Sequence, residues 1–176
     1  MLGSGDFFSI AYIVVFNVMP KPAALYFWCV IAFSSFVLNQ LKSTYHENRP
    51  YWEIPIDANK CETGFGNPSG HMLGNCFFWV TAYLHAYNEV GIIVPRMSVF
   101  CTAYIVKMAL TAFGLVYLIM MGFSRMYLGA HTLNQVLYGS LWGFTLAIIC
   151  HYKVKPFFLN MPERLLGDGD GTGQKY

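Results

Sequence analysis

Three short polar clusters interrupt an otherwise apolar chain, and each carries side chains suited to handling a phosphate. The first runs Lys42-Ser-Thr-Tyr-His-Glu-Asn-Arg49-Pro50, the second Gly64-Phe-Gly-Asn-Pro68-Ser69-Gly70-His71, and the third from Ser124-Arg125 through His131 to Gln135. Taken singly, each has a plain explanation. A lysine or arginine at a helix end meets the membrane interface, Asn-Pro-Ser-Gly opens many helices, and a lone histidine is usually a hydrogen-bonded core residue. Together they read as chemistry. Lys42, Arg49 and Arg125 supply fixed positive charge for the non-bridging oxygens of a phosphate, the arginines as planar forks. Asn67 suits a helix cap and Pro68 a first helical position, which would leave the N–H groups of Ser69 and Gly70 free for an anion. Gly70 lets the backbone approach closely. His131 and Gln135 are spaced i, i+4, as on one helix face. The Gln135 amide oxygen can then accept from one ring nitrogen and leave the other as nucleophile. His71, at the start of its helix, can protonate a leaving oxygen. No Asp, Glu and His cluster has metal-ligand spacing, so side chains are expected to neutralise the phosphate, without metal or cofactor.

These residues must be positioned by membrane helices. Of the 176 residues, 56% are hydrophobic, 18% aromatic and only 11% charged, where a soluble domain carries about 25% charge. Mean hydropathy is +0.43. The composition predicts an all-α integral membrane bundle of about five apolar segments: Phe7–Met19, Ala23–Leu41, Pro68–Tyr87, Val99–Phe123 and Met126–Cys150. The first, 13 residues, makes a helix of about 20 Å, short of the bilayer core. Lys42–Asn67 is a polar loop, Asn88–Arg96 a short break, and Ser124–Arg125 a turn. The bundle is expected over residues 1–150, and a polar tail over 151–176. No secretory leader is expected at the N-terminus. A net charge of +2 argues against a nucleic-acid partner. The five cysteines are dispersed, with Cys61 the one in a polar loop, so neither a disulfide framework nor a C-x-x-C site is expected.

If segments alternate, all three clusters share one membrane face. Lys21, Arg96, Lys153, Lys155, Arg164 and Lys175 fall on the other, which the positive-inside rule assigns to the cytosol. The site then faces a lumen or the exterior, with the C-terminus cytosolic. Lys107, inside the fourth segment, is expected to snorkel to the interface. Gly139 and Gly143, spaced G-x-x-x-G, are expected to pack helices together inside the bundle.

In order and spacing the clusters resemble the type 2 phosphatidic acid phosphatase superfamily, whose pattern is K-x6-R-P, P-S-G-H and S-R-x5-H-x3-D. The resemblance covers about Lys42–Gly143. It implies that His131 is a nucleophile forming a phosphohistidine. It implies that His71 is acid for the leaving group and then base for water, and that Lys42, Arg49, Ser69, Gly70 and Arg125 bind phosphate. The departure is Gln135 in place of Asp, which removes a charge but keeps an acceptor. Gln135→Glu is therefore expected to be mild. Arg49-Pro-Tyr-Trp52 and Cys61-Glu-Thr-Gly64 are similar to the glucose-6-phosphatase branch, and Gln135-Val-Leu-Tyr-Gly139 equally to dolichyl-diphosphatases, both of which also carry Gln.

The reading is an integral membrane phosphatase acting on phosphate monoesters or diphosphates. Its partners would be membrane lipid and a phosphorylated lipid or small phosphorylated metabolite. Lipid phosphates are the default substrate, because the bilayer presents a head group to a site at its boundary. A sugar-phosphate phosphatase and a non-catalytic membrane subunit are the alternatives. A soluble haloperoxidase does not fit this composition. The oligomeric state is not legible.

Overall fold

The computed structural model describes Ile13, Asn17 and residues 21–53, 64–93 and 97–160. The predicted first segment, apart from Ile13 and Asn17, lies outside the described residues, as do Cys61 and the chain beyond Asn160. The rest is helical except for the connections at 46–49, 64–69 and 128–132. Helix α1 spans Lys21–Tyr45, α2 is the single turn Pro50–Glu53, α3 spans Gly70–Ile93, α4 Met97–Tyr127 and α5 Leu133–Ile149. A π-helical segment, Cys150–Val154, leads into α6, Lys155–Leu159. The expectation of an all-α membrane bundle is met.

Helix α1 buries Ala23, Tyr26, Phe27, Val30 and Ser34, a stripe at helical spacing. Its other faces expose Leu25, Trp28, Phe33 and Phe36. A helix apolar on every side belongs in hydrocarbon. Among the described residues, Lys21–Glu53, Lys107–Tyr127 and Leu133–Leu159 are long and apolar enough to cross a membrane. Helix α3 has the length, at 24 residues, but sits at the centre of the bundle. It packs most extensively on α5 and also contacts α4 and α1. Its polar residues Asn75 and Thr81 are therefore buried in protein, not in lipid.

Two core clusters flank α3. Leu73 and Phe77 join Tyr26, Phe27 and Val30 of α1 to Leu146 and Ala147 of α5. Met72 and Cys76 join Leu118 and Met121 of α4 to Val136. The α3–α5 contact is as close as backbones allow. A Cβ on Gly139 would lie 2.6 Å from Ser69 O, and one on Gly143 2.6 Å from Leu73 O. The G-x-x-x-G pair thus packs inside the bundle, as expected.

Several boundaries differ from the sequence reading: α1 runs on to Tyr45, into the expected polar loop, and α3 starts at Gly70 and runs on to Ile93, into the expected break at Asn88–Arg96. The fourth segment does not turn at Ser124–Arg125, because α4 continues to Tyr127 and both residues lie in its last turn. The chain reverses beyond it, at Gly129 (φ 64°), a left-handed conformation suited to glycine. The N–H groups of Leu128, Gly129 and Ala130 are satisfied there by the carbonyls of Ser124, Met126 and Arg125. The fifth segment consequently starts at Leu133, not Met126. At its far end the helical rod passes Cys150 and runs to Leu159, burying His151 and Lys155.

Candidate active site

Helix ends bring the clusters together at one end of the bundle. α1 terminates at His46, whose left-handed backbone (φ 48°) breaks the helix while its N–H reaches Lys42 O at 3.2 Å. The chain then doubles back across the bundle end. Glu47 O accepts from the N–H of Gly66 at 2.8 Å, tying the first cluster to the second. Lys42 ends beside the start of α3, where a Cβ on Gly70 would lie 3.9 Å from Lys42 Cε.

Arg49 is only 2% exposed, so its cation must be matched by buried acceptors. Its Nε donates to Gly64 O at 2.8 Å. Its Nη1 reaches Ala130 O at 3.5 Å and lies 3.4 Å from His131 Nε2. These partners come from two other segments, the stretch at Gly64 and the Ala130–His131 turn, so the guanidinium fixes the loop geometry as well as the charge.

His131 is equally buried, at 2% exposure. Its Nδ1 lies 2.9 Å from Gly66 O and 3.3 Å from Gln135 Oε1. Both are acceptors, so the neutral ring carries its proton on Nδ1. The lone pair is then on Nε2, the nitrogen facing Arg49. His131 precedes the helix instead of sharing a face with Gln135, because Thr132 caps α5. Gln135 is the third residue of that helix and closes a capping box with Thr132. The Gly66 carbonyl, at the shorter distance, is the main orienting acceptor, and Gln135 the second.

His71 sits in the first turn of α3, with Nε2 3.3 Å from Arg125 Nη1 in the last turn of α4. The site therefore holds two arginine–histidine pairs, Arg49–His131 and Arg125–His71. Ser69 lies at the start of α3. Its N–H is not free for an anion, as the sequence suggested, since it donates to Gln135 O at 3.0 Å. Its hydroxyl is what remains: Ser69 is fully buried, and Oγ has no hydrogen-bond partner among the described residues. Asn67 does not cap α3 either, because the helix begins only at Gly70 and Leu73 N–H reaches back to Ser69 O.

Two contributors were missed by the sequence reading. Gly66 offers a carbonyl to His131 and has no room for a side chain, since a Cβ would fall 2.7 Å from the Gln135 amide. Glu47 reaches Gln135 Nε2 with its carboxylate at 3.3 Å. Both stand inside the polar clusters, which was the available clue. Of the residues singled out from sequence, Lys42, Arg49, Ser69, Gly70, His71, Arg125, His131 and Gln135 all fall at this end of the bundle.

A family model for the PAP2 superfamily matches residues 23–158. Among solved structures, the fold is similar to the crystal structure of a transmembrane PAP2 type phosphatidylglycerolphosphate phosphatase from Bacillus subtilis. The TM-score is 0.64 at 19% identity, over 85% of this chain and 69% of that one. No curated protein matches the chain in sequence.

Proposed function

Since the chain belongs to the PAP2 superfamily, we propose that it is an integral membrane phosphatase that hydrolyses phosphate monoesters or diphosphates of lipids through a phosphohistidine at His131. The observation that carries this reading is the placement of the His131 ring, with Nδ1 2.9 Å from the Gly66 carbonyl oxygen and Nε2 3.4 Å from a buried arginine. A ring held this way has its nucleophilic lone pair where the phosphate-binding cations are.

In the first step Nε2 attacks phosphorus, the bond to the leaving oxygen breaks, and His71 gives that oxygen a proton. The Arg125 contact requires the Nε2 of His71 to be unprotonated when the site is empty. A phosphate that draws Arg125 onto its oxygens would free this nitrogen to carry the proton. In the second step His71 takes a proton from water, the resulting hydroxide attacks phosphorus, and the P–N bond breaks. Inorganic phosphate leaves and His131 returns to its neutral form. Arg49, Arg125 and Lys42 would neutralise the non-bridging oxygens, and Ser69 Oγ would donate to one of them.

Lipid is favoured as substrate by a groove of about 130 Å³ between α1 and α3. It starts at Gly70, the first residue of α3, and continues past Leu38 and Leu73 to Phe77 and Phe78. A path that begins at the phosphate site and is apolar apart from Ser34 and Ser35 suits an acyl chain better than a sugar. The fold neighbour is named for a phospholipid phosphate, which is in the same substrate class. By the distribution of basic residues, the site faces the lumen or exterior and the C-terminus the cytosol.

The test is phosphate release by purified protein from phosphatidate, a sphingoid phosphate, phosphatidylglycerol phosphate, dolichyl diphosphate and glucose 6-phosphate. Turnover of a lipid phosphate that is lost in His131→Ala supports the reading. Preference for glucose 6-phosphate would move the assignment to sugar phosphates, and inactivity on every ester would leave a membrane subunit.

A further inference from the structure

We propose that Glu47 is a positioning residue for this reaction, acting on His131 through Gln135. The proposal rests on the reading of His131 as nucleophile. The Gln135 amide has all its bonding directions engaged. Nε2 donates to Asn48 O at 3.0 Å and to Glu47 Oε2 at 3.3 Å. Oε1 accepts from Thr132 N at 3.3 Å and faces His131 Nδ1 at 3.3 Å. Turning the amide over would set its oxygen against a carboxylate and a carbonyl, and its NH₂ against two N–H donors. Its orientation is therefore fixed by its neighbours.

Glu47 acts on His131 along two routes. Its main-chain oxygen holds Gly66 N–H at 2.8 Å, and the carbonyl of Gly66 is the main acceptor of the His131 Nδ1 proton. Its carboxylate polarises the Gln135 amide, which faces the same nitrogen. When Nε2 bonds to phosphorus the imidazole ring becomes cationic with its proton retained on Nδ1. A negative charge one side chain behind Nδ1 stabilises that cation. Glu47 is exposed, so its charge is screened and the effect is moderate.

This arrangement reverses an expectation from sequence. Gln135→Glu adds a charge beside His131 but destroys both donors to Glu47 and Asn48 O. It sets one carboxylate against another, so it is expected to be damaging, not mild. Replacing Glu47 by glutamine in the same protein supplies a new donor and restores a single negative charge, now adjacent to the ring.

The experiment is a charge-swap cycle measured on a lipid phosphate, with Glu47→Gln, Gln135→Glu, the double variant and His131→Ala. Glu47→Gln should lower kcat several-fold with little change in KM. Gln135→Glu should lose more, and the double variant should recover at least about tenfold over Gln135→Glu. A second arm titrates the histidine rings by NMR in micelles. The charged groups to account for there are Arg49, Lys42 at the end of α1, Glu47, and His71 paired with Arg125. The carboxylate favours the imidazolium, so in Glu47→Gln His131 should take up its proton at lower pH than in the parent. Unchanged kcat in Glu47→Gln, with no recovery in the double variant, overturns the positioning role. The function stands in that case if His131→Ala is inactive. If His131→Ala keeps full activity, the nucleophile reading has failed instead. The titration then decides on Glu47 alone: a downward shift upholds its link to His131 and no shift refutes it.

Discussion

Nη1 of Arg49 stands 3.4 Å from Nε2 of His131, placing a buried cation at the nitrogen that holds the ring's lone pair. A guanidinium can donate to Nε2 only when that nitrogen is unprotonated, the form that the proposed nucleophile needs. The contact also puts a guanidinium where the oxygens of an entering phosphate must come.

Arg49 should therefore tolerate no substitute. Lysine has one ammonium and cannot serve Gly64 O, Ala130 O and His131 Nε2 at once. Arg49→Lys is expected to reduce kcat/KM by about 100-fold, or about 2.7 kcal/mol of barrier. Arg125, only partly buried, has more freedom, and Arg125→Lys should cost less. Steady-state kinetics of both variants on one lipid phosphate checks the order. Equal losses would mean that burial of Arg49 does not set its importance.

The glycines of α5 give a prediction for stability. Gly139→Ala places a methyl 2.6 Å from Ser69 O, the acceptor of the first hydrogen bond of α3, so α5 must move away from the site. Gly143→Ala meets Leu73 O at 2.6 Å, one turn deeper. Each is expected to cost about 1–3 kcal/mol of stability, and Gly139→Ala also most of the activity. Gly114→Ala, with Trp79 Cε3 at 3.7 Å, makes an ordinary contact and should be neutral. Thermal unfolding in detergent, paired with an activity assay, separates the three.

The site was legible in sequence where its chemistry resides in side chains. Arginine, lysine and histidine are rare in an apolar chain, so Arg49, His71, Arg125 and His131 stood out by type and spacing. What was not legible is carried by the backbone. The carbonyls of Gly64, Gly66 and Ala130 orient Arg49 and His131, and any residue type supplies a carbonyl. The Ser69 N–H was assigned to an anion because nothing in sequence indicated that Gln135 O lies 3.0 Å away. The turn was placed at Ser124–Arg125 because polarity was read as a break. A helix end is set instead by where the backbone can turn left-handed, and Gly129 was that marker. Glu47 stands in the first cluster without an assigned role, because its link to Gln135 spans 88 residues of chain.

Neutralisation of the phosphate by Lys42, Arg49 and Arg125 predicts that turnover survives chelation. Orthovanadate should inhibit, because it adopts the five-coordinate geometry of the transferring phosphoryl group. Loss of turnover in EDTA, with recovery on adding Mg²⁺, would contradict the proposed charge balance.

The membrane orientation is tested with Cys61, which lies outside the described residues but between two of the polar clusters. In sealed vesicles of native orientation, a membrane-impermeant maleimide should reach Cys61 only from the lumenal or exterior side. A Cys29→Ser background removes an exposed cysteine of α1 from the readout. Labelling from the cytosolic side would invert the topology.

The two histidines should separate by what they do to a covalent intermediate. His131 has Nδ1 committed to the Gly66 carbonyl and Nε2 facing Arg49, so it is expected to take the phosphoryl group. His131→Ala should abolish both turnover and labelling from a radioactive phosphate substrate. His71, whose Nε2 lies 3.3 Å from Arg125, is proposed to transfer the proton in both steps. His71→Ala should stop turnover of an alkyl phosphate, whose leaving oxygen needs a proton. With a nitrophenyl phosphate, whose leaving group needs little protonation, the same variant should still become labelled. The label should then persist, because nothing activates the water that would remove it. Acid-labile, base-stable label in His71→Ala identifies a phosphohistidine. If label forms at the parent rate in His131→Ala and maps to His71, the two roles are the other way round.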